Sequence, residues 1–257
     1  MPLKLSIITV NLNNKTGLEK TIESVVNQSY YPTIEYLIID GNSTDGSIET
    51  IKQYENKFAY WISEKDKGVY DAMNKGIKQS TGDYLLFLNS GDTLANSTAI
   101  EQLIQLGENK DIIYGNVNYI FDIFTQKSDY PQTLTFDYFI FETLPHPASL
   151  IKRDVFEKVG LYDISLPISA DWKLFLLAIF KYHCSYKLID IIVSDFYMNG
   201  MSCTSQAKIT VENEKKKTFE TEFPEYIKMI DSYRKIRFLE SSRLMDILKK
   251  IGFFNYL

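Results

Sequence analysis

Four short apolar runs, each ending in a polar loop, constrain this chain more than any other feature. Residues 5–10 lead into Asn11-Leu12-Asn13-Asn14, and residues 36–39 into the loop 40–47, which holds Asp40, Asn42 and Asp45. Residues 58–62 lead into the stretch 64–76, and residues 84–88 into Asn89-Ser90-Gly91-Asp92. Compact apolar runs of this kind suit strands covered by helices on both sheet faces. Ligands of open α/β sheets sit at the carboxyl ends of the strands, so these loops converge on one crevice.

Between the first two runs, Leu18, Ile22, Val25 and Val26 recur at helical spacing, which makes a βαβ unit. Thr16 and Glu19 have the spacing of a capping box and predict a helix start just after the first loop. Ile48, Ile51 and Tyr54 mark a second helical face, and Val69, Met73 and Ile77 a third. A helix over 98–106 and a strand over 111–114 complete a first half, residues 1–115. The second half, 116–205, is richer in aromatics and punctuated by Pro131, Pro145, Pro147, Gly160 and Pro167. It is expected to hold a helix over 171–180, a strand over 187–193 and a closure loop over 196–202 hinged at Gly200.

Residues 206–257 read as a helical appendage. Their charge runs at 212–217 and 220–225 suit a solvated helix face. From 228 to 250, seven Lys or Arg stand against three Asp or Glu, interleaved with Ile236, Leu239, Leu244, Ile247 and Leu248. Such a basic amphipathic segment suits an anionic membrane surface, its own domain or a second subunit equally well.

Composition narrows the class. With 28 basic and 33 acidic residues and a net charge of -5, the chain has no general attraction for nucleic acid. Cys184 and Cys203 are its only cysteines and form neither a zinc motif nor a disulfide framework. The amino terminus lacks the pattern of a signal peptide, and the apolar run 174–180 falls far short of the roughly 20 residues that span a bilayer. The expected address is cytoplasmic.

Seven segments together resemble family 2 glycosyltransferases with the GT-A fold, particularly bacterial members that build surface polysaccharides. They are 5–11, 38–47, 63–76, 87–92, Pro145-His146-Pro147-Ala148, Gly160-Leu161-Tyr162-Asp163 and Ser169-Ala170-Asp171-Trp172, spread over about residues 4–200. The resemblance implies a single α/β domain, with a central mixed sheet and helices on both faces. One half takes the nucleotide-sugar and the other the acceptor. The implied reaction is inverting transfer of a hexose from a UDP-sugar to a hydroxyl of a glycan or lipid-linked saccharide, with Mn2+ or Mg2+ as cofactor.

Asp40, at the end of the second strand, can accept a hydrogen bond from a nucleobase or ribose, or it can cap its own turn; the resemblance favours uracil. Asn11 and Asn42 can orient the nucleotide or fix their turns, and Asp45 can bind ligand or cap the next helix. Asp71 and Asn74, three residues apart, can share a helix face against the donor. Lys67 and Lys75 can neutralise phosphate or remain solvated. The resemblance makes Asp92 the metal ligand, although its motif carries one carboxylate instead of two, and puts Asn89 or Ser90 near ribose or metal-bound water. It also makes Asp171 the catalytic base. His146, held between prolines, can face the acceptor or the diphosphate, and Trp172 can stack on a sugar or pack the core. A nucleotidyltransferase and a non-catalytic carbohydrate-binding assembly protein are the alternatives.

Overall fold

The computed structural model describes residues 3–198 and 205–240. Arg243, Lys249 and Lys250 of the basic tail, the Gly200 hinge and Cys203 lie outside the described residues.

Four parallel strands carry the first half: β1 (Leu5–Asn11), β2 (Ile34–Asp40), β3 (Tyr60–Ser63) and β4 (Tyr84–Phe87). They lie in the order β3-β2-β1-β4. Every residue of β1 is buried, with Ile8 and Val10 packing into one core and Leu5 and Ile7 into another. That two-sided burial is the alternation of a strand with helices on both faces. On one face α1 (Lys15–Val26) brings Leu18, Ile22 and Val25; on the other α3 (Val69–Gln79) brings Met73 and Ile77. A Cβ at Gly76 would lie 2.5 Å from the Ile8 side chain, so glycine there lets α3 settle directly on β1. Helices α2 (Ser47–Gln53) and α4 (Ala99–Leu106) complete this half.

The cap of α1 departs from the expected capping box. Asn14, two residues earlier than Thr16, is the N-cap, and its Oδ1 accepts from the Gly17 N–H at 3.1 Å. Asparagine is among the strongest N-caps, so it wins the position.

The sheet continues past β4 through β8 (Ser149–Lys152), β6 (Ile112–Ile120), β9 (Tyr186–Tyr197) and β5 (Thr93–Leu94), while β7 (Thr125–Lys127) forms a hairpin with β6. β8 is antiparallel to both β4 and β6, whereas β9 is parallel to β6. The sheet is therefore mixed, and the carboxyl ends of β6 and β9 share an edge with those of β1 to β4. Both strands run further than the apolar patterns 111–114 and 187–193. Register shifts interrupt their pairing between Tyr114 and Val117, which breaks a simple repeat.

Helices α5 (Phe136–Phe141), α6 (Arg153–Val159) and α7 (Ala170–Leu176) cover the second half, and α7 runs on as a π-helical turn, Leu177–Lys181. Helices α8 (Ser205–Glu222) and α9 (Ile227–Glu240) follow. α8 does not stand apart as an appendage: its Phe219, and Phe223 just past its end, belong to the same core as Trp172 and Phe139. Nor is its charge run wholly solvated, since Glu214 and Lys215 are buried at 7% and 4% exposure. Among the described residues no helix is long and apolar enough to cross a membrane.

Candidate active site

The loops after β1 and β2 are laced together. Asp40 is fully buried, and both its oxygens are occupied: Oδ1 accepts from Asn11 Nδ2 (2.7 Å) and Ser43 Oγ (2.6 Å), Oδ2 from the Ser43 N–H (2.9 Å) and Ser63 Oγ (2.6 Å). Four donors satisfy both oxygens of this buried carboxylate, which would otherwise be costly to take out of water. Asn13 and Asn42 take left-handed backbone, a conformation asparagine tolerates, with φ of 50° and 67°. Asn42 is exposed at the loop surface. Asp45 serves both helix starts, accepting from the Lys15 N–H at 2.8 Å and from the N–H and hydroxyl of Ser47 at 3.1 and 2.6 Å.

The loop after β4 meets the first loop through the Ser90 N–H to Val10 O (3.0 Å) and Asn14 Nδ2 to Ser90 O (2.9 Å). Gly91 has φ of 110°, a turn that brings its N–H onto Thr21 Oγ1 of α1. The Thr21 hydroxyl in turn donates to the Asp92 carbonyl at 2.7 Å. Asp92 is thus fixed at its backbone while its carboxylate stays almost unpartnered. It is 7% exposed, and among the described residues the carboxylate's one hydrogen bond comes from the Tyr197 N–H at 3.4 Å. Burial pushes the carboxyl up to about 7, with the Tyr197 N–H opposing weakly. Nearby in sequence, Asn89 Oδ1 is buried without a hydrogen-bond partner among the described residues.

At the start of α3, Asp71 accepts from the Lys67 N–H at 3.0 Å and is half-buried. Asn74 turns elsewhere. Its amide clamps the Tyr162 backbone at 2.9 and 3.0 Å, so the expected shared face of Asp71 and Asn74 is divided between two neighbours. Lys75 is held by Glu64 (2.8 Å) and Asp66 (2.5 Å), a closer pairing than a solvated or phosphate-facing lysine would show.

Asp171 lies in the first turn of α7. Its Oδ1 is 2.7 Å from the Tyr70 hydroxyl, whereas Oδ2 carries no hydrogen bond among the described residues. A cleft of about 470 Å3, lined by Val69, Tyr70, Leu166, Pro167, Ile168 and Ala207 among others, opens beside this carboxylate's partner. His146 and Trp172 do not face such a cleft. His146 is 9% exposed, stacked on Phe87 with centroids 5.0 Å apart, and its Nε2 is 2.8 Å from the Tyr162 hydroxyl. Burial lowers its pKa, with Asp171 pulling the other way. Trp172 is 1% exposed; its Nε1 donates to the Phe139 carbonyl at 2.8 Å and its ring meets Phe219 edge-on. His146 Nε2 and Trp172 Nε1 each already have a hydrogen-bond partner inside the core, and of the two readings for Trp172 the structure takes core packing.

Residues 6–160 match the model of Glycosyl transferase family 2. The chain belongs to that family. An uncharacterized glycosyltransferase of Mycobacterium tuberculosis strain H37Rv is 31% identical over 201 residues, covering 77% of this chain and 76% of that protein. Staphylococcus aureus TarS shares the fold: against its 1–349 complex with UDP-GlcNAc the TM-score is 0.63 at 14% identity, covering 84% of this chain and 70% of that one. Against the longer TarS chain the match spans only 37% of that chain. The mannosyltransferase PcManGT of Pyrobaculum calidifontis, in complex with GDP-Man and Mn2+, gives a TM-score of 0.62 at 12% identity, covering 98% of this chain and 80% of that one. The fold is GT-A, and the protein is a glycosyltransferase, which sets nucleotidyl transfer aside.

The residues of this glycosyltransferase fit a hard divalent ion. Asp92 and Asn89 offer oxygen ligands that are buried and under-bonded, the setting in which an ion would replace lost hydration. Among the described residues no group of three His, Cys, Asp or Glu gathers to make a complete cage, so substrate and water oxygens would have to finish the shell. Pattern reasoning missed Tyr70, Ser43, Ser63 and Glu214. Tyr70 sits beside Asp71 in a motif already singled out, whereas Glu214 is hidden within a charge run.

Proposed function

We propose that this glycosyltransferase moves a hexose from a UDP-sugar to a hydroxyl of a glycan or lipid-linked saccharide, with inversion at the anomeric carbon. The observation that carries the reaction is Asp171, with one carboxylate oxygen held by Tyr70 and the other without a hydrogen bond among the described residues. A general base needs that arrangement, an oriented carboxylate with a free lone pair. Asp171 Oδ2 takes the proton of the acceptor hydroxyl as that oxygen bonds to the anomeric carbon, and the sugar–phosphate C–O bond breaks on the opposite side. The products are the glycosylated acceptor, with inverted configuration, and a nucleoside diphosphate.

Asp40 and Asn11 form the nucleoside end of the donor site in this reading. The Ser43 and Ser63 hydroxyls on Asp40 are rotors, and one of them turns away to let a uracil N–H take its place. Asn42, Asp71, Asn89 and Ser90 border the ribose and diphosphate. A divalent ion held by Asp92 and Asn89 would supply charge neutralisation at the departing diphosphate. Complexes of fold neighbours with UDP-GlcNAc and with GDP-Man and Mn2+ support a nucleotide-sugar donor and a divalent ion but divide on the base. The family resemblance of Asp40 favours uracil.

A donor panel read by released UDP or GDP, followed by identification of the product, tests the donor and acceptor classes. Asp171→Asn keeps the side-chain size but removes the base, so turnover falls roughly 100-fold or more with UDP affinity little changed. Near-normal turnover by the folded variant refutes the role, and a product with retained anomeric configuration refutes the single displacement.

A further inference from the structure

Tyr70 is buried at the start of α3, and its hydroxyl has two acceptors: the Ile168 carbonyl at 2.6 Å and Asp171 Oδ1 at 2.7 Å. A phenol has one proton, so it serves these acceptors alternately. The Ile168 peptide is also fixed from its other side. Glu214 Oε2 of α8 accepts from the Ile168 N–H (3.3 Å), the Ser169 N–H (2.8 Å) and Ser169 Oγ (2.5 Å). Segment 168–171 is therefore gripped between α3 and α8, two elements separated by more than a hundred residues. Neither grip is required to fold a helix start, where one capping side chain normally suffices.

We propose that Tyr70 is a positioning residue for Asp171, holding Oδ1 so that Oδ2 faces the acceptor, and turning its proton to the Ile168 carbonyl once the carboxylate is protonated. This rests on Asp171 acting as the base. The acceptor proton ends on Asp171 Oδ2, and the phenol keeps its own proton throughout. Burial, and then the Asp171 charge, raise the Tyr70 hydroxyl well above the ordinary phenol range, so it remains a donor at every working pH. While Asp171 is charged, the charge-assisted bond to Oδ1 is the stronger of the two choices. When Asp171 is neutral, the difference fades and the fixed Ile168 carbonyl receives the proton. The other titratable groups around this carboxylate are His146, Tyr162, Lys215 and, through Ser169, Glu214. All four remain in place in the variants below.

Tyr70→Phe keeps the ring that packs on Tyr162, with centroids 5.5 Å apart. The direct test is an NMR titration of protein labelled at the aspartate carboxyl carbon, with the Asp171 resonance assigned by its loss in Asp171→Asn. Removing a hydrogen bond to the charged form should move the Asp171 midpoint up in Tyr70→Phe. Placing 3-fluorotyrosine at position 70, a stronger donor of nearly the same size, should move it down. With a donor and acceptor in hand, turnover of Tyr70→Phe should fall about tenfold, while the Kd for UDP stays within twofold. An unmoved midpoint in a Tyr70→Phe protein that binds UDP normally overturns the proposal. Should Tyr70→Phe not fold, an unmoved midpoint in the fluorotyrosine protein does so. Loss of turnover in Asp171→Asn with no effect at Tyr70 defeats only this inference, whereas normal turnover in Asp171→Asn defeats the base assignment itself.

Discussion

Asp92→Asn separates a metal ligand from a structural carboxylate, because the two make opposite demands on stability. Burial lifts the Asp92 carboxyl from 3.8 to about 7 in the folded chain. At 1.36 kcal/mol per pH unit, that difference corresponds to roughly 4 kcal/mol. The sign follows from proton counting. Below pH 4 the carboxyl is protonated whether the chain is folded or not, and burial carries no electrostatic cost. Between pH 4 and 7 the unfolded carboxyl ionises while the folded one keeps its proton, so stability falls as pH rises and levels off above 7. Asparagine never ionises. Without added metal, the melting temperature of Asp92→Asn should match wild type near pH 4 and exceed it near pH 8 by roughly 8 °C, taking about 2 °C per kcal/mol for a chain of this size. Adding Mn2+ and UDP should close that gap, raising the wild type more at pH 8 than at pH 5 and leaving the variant almost unmoved by the metal. Scanning fluorimetry from pH 4 to 8, with and without Mn2+ and UDP, provides the test. Parallel melting curves across the whole range would refute the reasoning, since Asp92 would then be neither desolvated nor relieved by a cation.

Two other side chains give independent tests. Asp40→Ala strands the Asn11, Ser43 and Ser63 donors in a buried site, so calorimetric titration should show UDP binding weakened at least tenfold and the melting temperature lowered together; unchanged UDP affinity would remove Asp40 from the nucleotide site. Lys215, pushed down to about 8 by burial, sits over the Trp172 ring and donates to the Phe141 carbonyl. Wild-type stability should therefore include a component that rises from about pH 8 toward the ordinary lysine range, because the unfolded chain holds more protons there. Lys215→Met should abolish that component, as chemical denaturation at pH 7.5 and 10 would reveal.

What the sequence discloses here is set by the range of the interactions involved. β1 to β4 and their helices are local objects, so apolar runs and 3.6-residue spacing mark them directly, and the polar loops follow because strands of a parallel sheet end on one edge. β6 and β9 extend beyond their apolar stretches because their outer residues are ordered by pairing with each other, and no pattern within either strand records that partnership. The site divides along the same line. Asp92 stands in a recognisable loop after a strand, but that its carboxylate has a single long hydrogen bond among the described residues, the property that suits it to an ion, is visible only in three dimensions. Asn74, His146 and Trp172 carry polar atoms at promising positions, and each is satisfied by a backbone or side-chain group 16 to 88 residues away. The charge run of α8 misleads for the same reason in reverse. Glu and Lys in succession ordinarily mean water, yet Glu214 faces three donors of the Asp171 loop and Lys215 faces a carbonyl and an indole, so burial leaves both paired. The segment that looked most like an independent appendage is thus the one that holds the Asp171 loop from behind. That coupling makes the orientation of Asp171 depend on how α8 is docked, a dependence no motif around residue 171 could express.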